Sequence, residues 1–171
     1  MRQLIGLFWD ICLLRKTPQD IPYSPALLGL VVVIGMIIDN INLDFALPKA
    51  TLIQVAGAVL AHTALLMGSL AALLALMGYT ARVVQTLSAL LGSGLIISLA
   101  AMPLIILSSL SEQLAMALVM LLLMLTIWSL VVTMHIFRHA LSINVLLAGL
   151  LAFGSYVLSL KVIDWLIPVS H

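Results

Sequence analysis

The chain has 171 residues, of which 64% are hydrophobic and only 8% charged, and its mean hydropathy is +1.32. Soluble domains carry roughly 45–50% apolar and about 25% charged residues, so this composition excludes a water-soluble globular enzyme, and it equally excludes a disordered tail. A formal charge of +1 without a basic run argues against nucleic acid as a partner, and a single cysteine excludes an internal disulfide and a cysteine-based zinc site.

The first 24 residues differ from the rest. Leu4, Ile5, Phe8, Ile11 and Cys12 recur at roughly helical spacing, with Arg2, Asp10, Arg15 and Lys16 elsewhere. This pattern predicts a short amphipathic helix lying in the membrane interface, with Trp9 near headgroup depth. Asp10 interrupts the apolar run and no small-residue cleavage site follows, so a cleaved signal peptide is not expected. Cys12 is expected as a membrane-facing hydrophobe. Pro18, Pro22 and Pro25 then end this helix and lead into the first span.

A membrane span needs about 20 mostly apolar residues, because the hydrocarbon layer is about 30 Å thick and a helix rises about 1.5 Å per residue. Five stretches qualify, at about 25–43, 51–77, 83–107, 113–137 and 142–167. The expected fold is therefore all-α, an integral membrane bundle of five transmembrane helices forming one domain over residues 25–171. The breaks are polar and short. One holds Asp44 and Pro48, the next Gly78 and Arg82, the third Ser108 to Glu112 with serines and an acid as candidate helix N-caps, and the last Arg138 to Leu141. Such short connections make consecutive helices antiparallel neighbours. Lys and Arg fall mostly on one side: Arg2, Arg15, Lys16, Arg82 and Arg138 against Lys49 and Lys161. The positive-inside rule then predicts a cytoplasmic N-terminus and an outside C-terminus. Short loops and compactness suit a bacterial inner membrane, and no receptor head or catalytic ectodomain is expected.

The second half carries a recognisable order of features. Span two ends in Leu76-Met77-Gly78; after a short turn comes Arg82-Val83-Val84-Gln85-Thr86-Leu87, later Met102-Pro103-Leu104, then Ile127-Trp128-Ser129 and Phe137-Arg138-His139. Over about residues 60–165 this resembles the Yip family (Ypt/Rab-GTPase-interacting proteins) and its bacterial relatives. The resemblance implies a compact five-span protein with a cytoplasmic N-terminus. The eukaryotic relatives act in vesicle traffic and membrane shaping; the N-terminal region here is shorter than theirs, and no GTPase link is carried over.

Ionisable groups inside hydrocarbon cost about 2.5–3.5 kcal/mol on insertion scales, so each needs a reason. His62 lies near the middle of span two, and reads either as a proton relay or ligand, or as a neutral imidazole bonded to a neighbouring helix. His135 lies roughly 16 Å deeper from the outer face, which argues against one haem between them. His135 and His139 are spaced i, i+4, but no third ligand and no glutamate accompany them, so no metal site is expected. Asp39, Asn40, Asn42 and Asp44 cluster at the outer end of span one, as a cation mouth or as a wetted helix end. Lys161 and Asp164 are three apart and can pair on one face. Gln54, Gln85 and Asn144 lie near span ends, where they are expected to satisfy backbone groups.

Small residues let membrane helices approach closely. Gly57, Ala61, Ala64 and Gly68 in span two, with Ser88, Gly92, Gly94 and Ser98 in span three, predict that these two spans form the tight centre of the bundle. Pro103 removes an intrahelical bond and crowds the Leu99 carbonyl, so Gly92, Gly94 and Pro103 form a candidate hinge. Met116, Met120 and Met124 share a face expected to meet lipid or a partner. No catalytic residue and no cofactor is expected. The leading reading is a non-enzymatic scaffold or accessory subunit, working through contacts with lipid and with another membrane protein or itself. The alternative is a small oligomeric transporter or channel, which requires polar groups on facing helices at one depth.

Overall fold

A computed structural model describes residues 2–110 and 112–167. Its regular structure among these residues is all helical, in the order α1 (Arg2–Cys12), α2 (Pro25–Ala46), α3 (Leu52–Leu76), α4 (Val83–Leu110), α5 (Glu112–Leu141) and α6 (Val145–Leu166), with 3-10 turns at Pro18–Asp20 and Thr80–Arg82. Helices α2 to α6 are long and apolar enough to cross a membrane, as expected of a multi-pass membrane protein.

Local chemistry sets most helix ends. Ser24 accepts from the Leu27 N–H, with Pro25 in the first turn, where a missing N–H costs nothing. Thr51 and Gln54 cap each other reciprocally at the start of α3. Asn144 accepts from the Leu147 N–H at the start of α6. Gly78 closes α3 at φ +80°, with Tyr79 N–H reaching the Leu74 carbonyl and Gly78 N–H the Ala75 carbonyl, a Schellman termination. The same termination ends α1 at Leu14 (φ 60°) and α5 at Ser142 (φ 55°), where residues with a Cβ occupy the left-handed region.

Two boundaries differ from the sequence expectation. Helix α5 continues through Arg138 to Leu141, so the break falls at Ser142 to Asn144. Arg138 and His139 are cations or potential cations in its last turn, where they suit the negative end of the helix dipole rather than ending the helix. Helix α2 runs on to Ala46, past Asp44. Among the candidate N-caps, Ser111 lies outside the described residues.

The packing partners also differ. Helix α4 packs most extensively on α2 and α5, and only lightly on α3. The expected tight pairing of spans two and three is therefore corrected. Of the four small residues expected at that interface, Gly57, Ala64 and Gly68 are exposed and Ala61 is half-buried, and no heavy atom lies near a Cβ built on either glycine. The buried side of α3 is instead the stripe Val55, Ala58, Val59, Thr63, Leu70 and Leu74. Met116, Met120 and Met124 are exposed, at 59–72%.

One end of the bundle is closed by the N-terminal segment. Helix α1 lies against α4, burying Phe8, Ile11 and Cys12 while leaving Ile5 and Trp9 outward. The ring of Phe8 occupies the space that a side chain at Gly92 would need. This gives Gly92 a packing role. Cys12 does not face the membrane, as expected from sequence, but is buried, and its thiol donates to the Ser93 carbonyl at 3.7 Å. Burial pushes that thiol up to about 11, so it is a protonated, inert group at neutral pH. Residues 13–21 then thread between α4 and α5. Gln85 donates to the Ile21 carbonyl at 2.8 Å, His135 Nε2 lies 3.0 Å from the Lys16 carbonyl, and Gln19 donates to the His139 carbonyl at 3.4 Å. Arg82 donates to the Ala140 carbonyl and to Ser142 Oγ, both at 3.3 Å, with its guanidinium 4.5 Å from the Tyr79 ring centre. Around these bonds sits the main apolar core, including Phe8, Ile11, Leu74, Ile136 and Leu141. At the opposite end the described residues form a small cluster, Val55, Ala58 and Ile167.

Candidate functional site

Between the two clusters lies a cavity of about 500 Å³, to which α2, α3, α4, α5 and α6 all contribute. Three polar groups meet there. Ser98 of α4 donates its hydroxyl to an Asp39 carboxylate oxygen of α2 at 2.7 Å. One turn along α2, Asn42 donates its amide N–H to the Ser98 backbone carbonyl at 3.0 Å. His62 of α3 lines the same cavity and is close enough to Asp39 for their charges to interact. Measured from the helix ends on the far side from α1, Asp39, His62 and Ser98 lie at roughly 10, 15 and 18 Å along their axes. All three therefore lie well inside the spans, and the hydrogen bond brings Asp39 and Ser98 to one level.

The remaining wall is mixed. Ser129 and Thr133 of α5, and Ser155, Tyr156 and Ser159 of α6, add hydroxyls. The hydroxyls of Ser155 and Ser159 already donate to carbonyls one turn back, at 2.8 Å each. Gly94 leaves open space where a side chain would stand, and so helps to form the cavity. Apolar side chains such as Val59, Leu66 and Ile105 fill the rest. No lysine or arginine is among the described lining residues.

One atom in this wall is chemically incomplete. The Asn42 amide must turn its nitrogen toward the Ser98 carbonyl, because a carbonyl only accepts. Asn42 Oδ1 is then left buried with no donor. An unpaired buried polar atom costs about 1–3 kcal/mol. The other such atom among the described residues, Ser88 Oγ, sits on α4 outside the cavity.

The sequence candidates separate as follows. His62 stands on the cavity wall and makes no hydrogen bond to a described residue. The four polar residues at the end of span one do not act as one cluster: Asp39 and Asn42 face the cavity, Asn40 donates to the Met36 carbonyl of its own helix, and Asp44 is exposed. The wetted-end reading therefore fails for Asp39 and Asn42. Continuing α2 to Ala46 moves Asp39 about one turn deeper than a helix ending at Leu43. Of the candidate hinge residues, Gly94 lines the cavity, Gly92 meets Phe8, and Pro103 lies inside α4, which is helical on both sides of it. His135 and His139 stack edge to face with ring centres 4.5 Å apart, at the closed end and far from His62. Lys161 and Asp164 are both exposed and are not joined by an ion pair. Gln54, Gln85 and Asn144 each satisfy a backbone group.

What the sequence reading missed is the pairing of Asp39 with Ser98. The spacing of Asp39 and Asn42, three apart on one helix face, was a usable signal; its partner on α4 was not legible. Comparison with family models, with curated proteins and with solved structures finds no match.

Proposed function

We propose that this chain is a non-enzymatic membrane carrier that holds a small ligand in the cavity between its five spans. The observation that supports this is the shared wall of Asp39, Ser98, Asn42 and His62, contributed by three helices and joined across α2 and α4 by hydrogen bonds. Charged groups inside membrane spans are costly, and they mark ion or substrate pathways by default. A cavity within one chain also removes the need for an oligomer to build the path. The N-terminal segment supports the reading from the other side: α1 and residues 13–21 cover one end of the bundle, while the cavity reaches Ala46 near the opposite end of α2. With the N-terminus cytoplasmic, in a bacterial inner membrane, the cavity opens toward the outside and α1 lies along the cytoplasmic interface.

Cysteine accessibility tests the reading. Single cysteines at Ser129, Ser155 and Ser159 are made in a Cys12→Ala background, and intact vesicles are treated with a membrane-impermeant thiol reagent. A carrier predicts labelling that a permeating ligand protects. Cysteines that never label from either side mean a dry, sealed cavity, and the carrier reading falls. His62→Ala gives a second check, because unchanged flux removes a proton relay through that residue.

A second reading is a scaffold or accessory subunit resembling the Yip family. The exposed small residues of α3, Gly57, Ala64 and Gly68, support it, because such a face suits close contact with another membrane helix. Crosslinking after gentle solubilisation tests this: a stoichiometric membrane partner favours the scaffold, and an isolated chain removes its support.

A further inference from the structure

We infer that the cavity ligand is a protonated amine, an ammonium head on an apolar body; this rests on the carrier reading and names the class of its substrate.

Among the described residues Asp39 is the only acid on the cavity wall, and Ser98 supplies its one described hydrogen bond. Its second oxygen is open to a donor. One turn away, Asn42 Oδ1 is a buried acceptor without a donor, and its orientation is locked by the Ser98 carbonyl. Asp39 and Asn42 lie three residues apart on the same face of α2. Acceptors therefore exceed donors at this point, and the one carboxylate adds negative charge.

An ammonium group answers both features. It carries three donors in different directions and a charge opposite to that of Asp39. An anion is disfavoured, because no lysine or arginine among the described residues lines the cavity. A polyol is disfavoured because most of the wall is apolar and the Ser98, Ser155 and Ser159 hydroxyls already donate within the protein. The volume of about 500 Å³ falls in the range of small-molecule sites and far exceeds a bare ion. Tyr156 adds an aromatic ring to the lining, a surface that attracts cations.

Three probes of one shape decide the matter: 2-phenylethylammonium, 2-phenylethanol and 3-phenylpropanoate. Each is titrated against the purified full chain in nanodiscs, with binding read by calorimetry and by the shift in Tm. The expected result is saturable binding of the ammonium at least 10-fold tighter than the alcohol, with no measurable binding of the carboxylate. Asp39→Asn keeps the shape and is expected to bring ammonium and alcohol to equal affinity. Gly94→Leu fills the cavity without touching the polar groups and is expected to abolish binding of both. Equal affinity for ammonium and alcohol in the natural chain, or tighter binding of the carboxylate, overturns the cation assignment while leaving a ligand cavity. No binding of any probe overturns the assignment and the carrier reading together. If Asp39→Asn does not fold, Ser98→Ala serves: it frees the carboxylate from its hydroxyl and is expected to change the ammonium affinity without changing that of the alcohol.

Discussion

Gly92 and Gly94 stand two residues apart on α4 and meet opposite surroundings. The missing side chain of Gly92 is replaced by the Phe8 ring of α1, whereas that of Gly94 leaves empty space in the cavity wall. The same contrast runs through the whole bundle. The end beneath α1 is filled by Phe8, Ile11, Leu74, Ile136 and Leu141, and stitched by Gln85, His135 and Arg82 to backbone carbonyls. The middle and far half hold a cavity, a carboxylate and an unpaired amide oxygen. Packing that is complete in one half and withheld in the other separates stability from ligand chemistry. It predicts that substitutions at the closed end unfold the protein, and that substitutions around the cavity change what it binds.

The largest break in this comparison comes from Gly92→Leu. Its side chain displaces Phe8, and overpacking of this kind costs about 1–3 kcal/mol. Thermal unfolding in detergent is expected to shift strongly downward. Cys12, otherwise buried and protonated, becomes reactive to maleimide at pH 7. A Cys12 that stays unlabelled in the folded variant means that α1 does not depend on Gly92.

The matching change two residues on has the opposite sign. Gly94→Ala meets no atom within 4 Å and removes a flexible glycine from a helix interior. It is expected to stabilise by up to about 1 kcal/mol, read as a rise in Tm. A loss of stability there sinks the idea that this side of α4 is unfilled.

Arg82→Ala sharpens the closed end at intermediate size. It removes two hydrogen bonds to the terminus of α5 and the contact with the Tyr79 ring. Because the side chain is only half-buried, about 1 kcal/mol is expected rather than the larger values of buried charged bonds. Hydrogen exchange at the end of α5 is expected to accelerate, and unchanged exchange counts against the link. Thr51→Ala, at the far end, loses the reciprocal cap of α3 and is expected to cost about 1 kcal/mol.

The smallest effect is a pH dependence at the N-terminal turn. Thr17 donates both its backbone N–H and its hydroxyl to Asp20, and these bonds hold the Asp20 carboxyl below its ordinary value of 3.8. A folded value below the unfolded one adds stability that is complete above 3.8 and lost as pH falls through the folded value. Asp20 is exposed, so solvent screening keeps the effect small. The Tm gap between the natural chain and Asp20→Asn is expected to be present at pH 7 and to close in acid. A gap that is constant with pH means the carboxylate charge is not involved.

Much of the fold is local, and the residues that make it local can be named. The starts of α2, α3 and α6 follow from Ser24-Pro25, Thr51 with Gln54, and Asn144; the end of α3 follows from Gly78. Each is a bond within about five residues, so the chemistry is written in adjacent letters. Length does the rest, because a run of about 20 apolar residues has its backbone groups satisfied in lipid only as a helix. His62 as a central polar group was legible for the same reason: a lone ionisable residue stands out in an apolar run.

Which helix faces which was not legible. In water a buried face betrays itself by alternating with a polar one, but in lipid every face is apolar and association rests on shape and on scattered polar contacts. Hence most of the small residues of α3, which suggested a tight interface, point outward, while α4 joins α2 and α5. Hence also Cys12 is buried against Ser93, and Asp39 meets Ser98 across 59 positions of sequence. The sequence by itself determined five apolar helices, their caps and one conspicuous histidine. Only the tertiary structure decided that Asp39, Asn42, Ser98 and His62 share a cavity, because that depends on how the helices rotate and pack against one another, which hydrogen bonds within a single helix do not control.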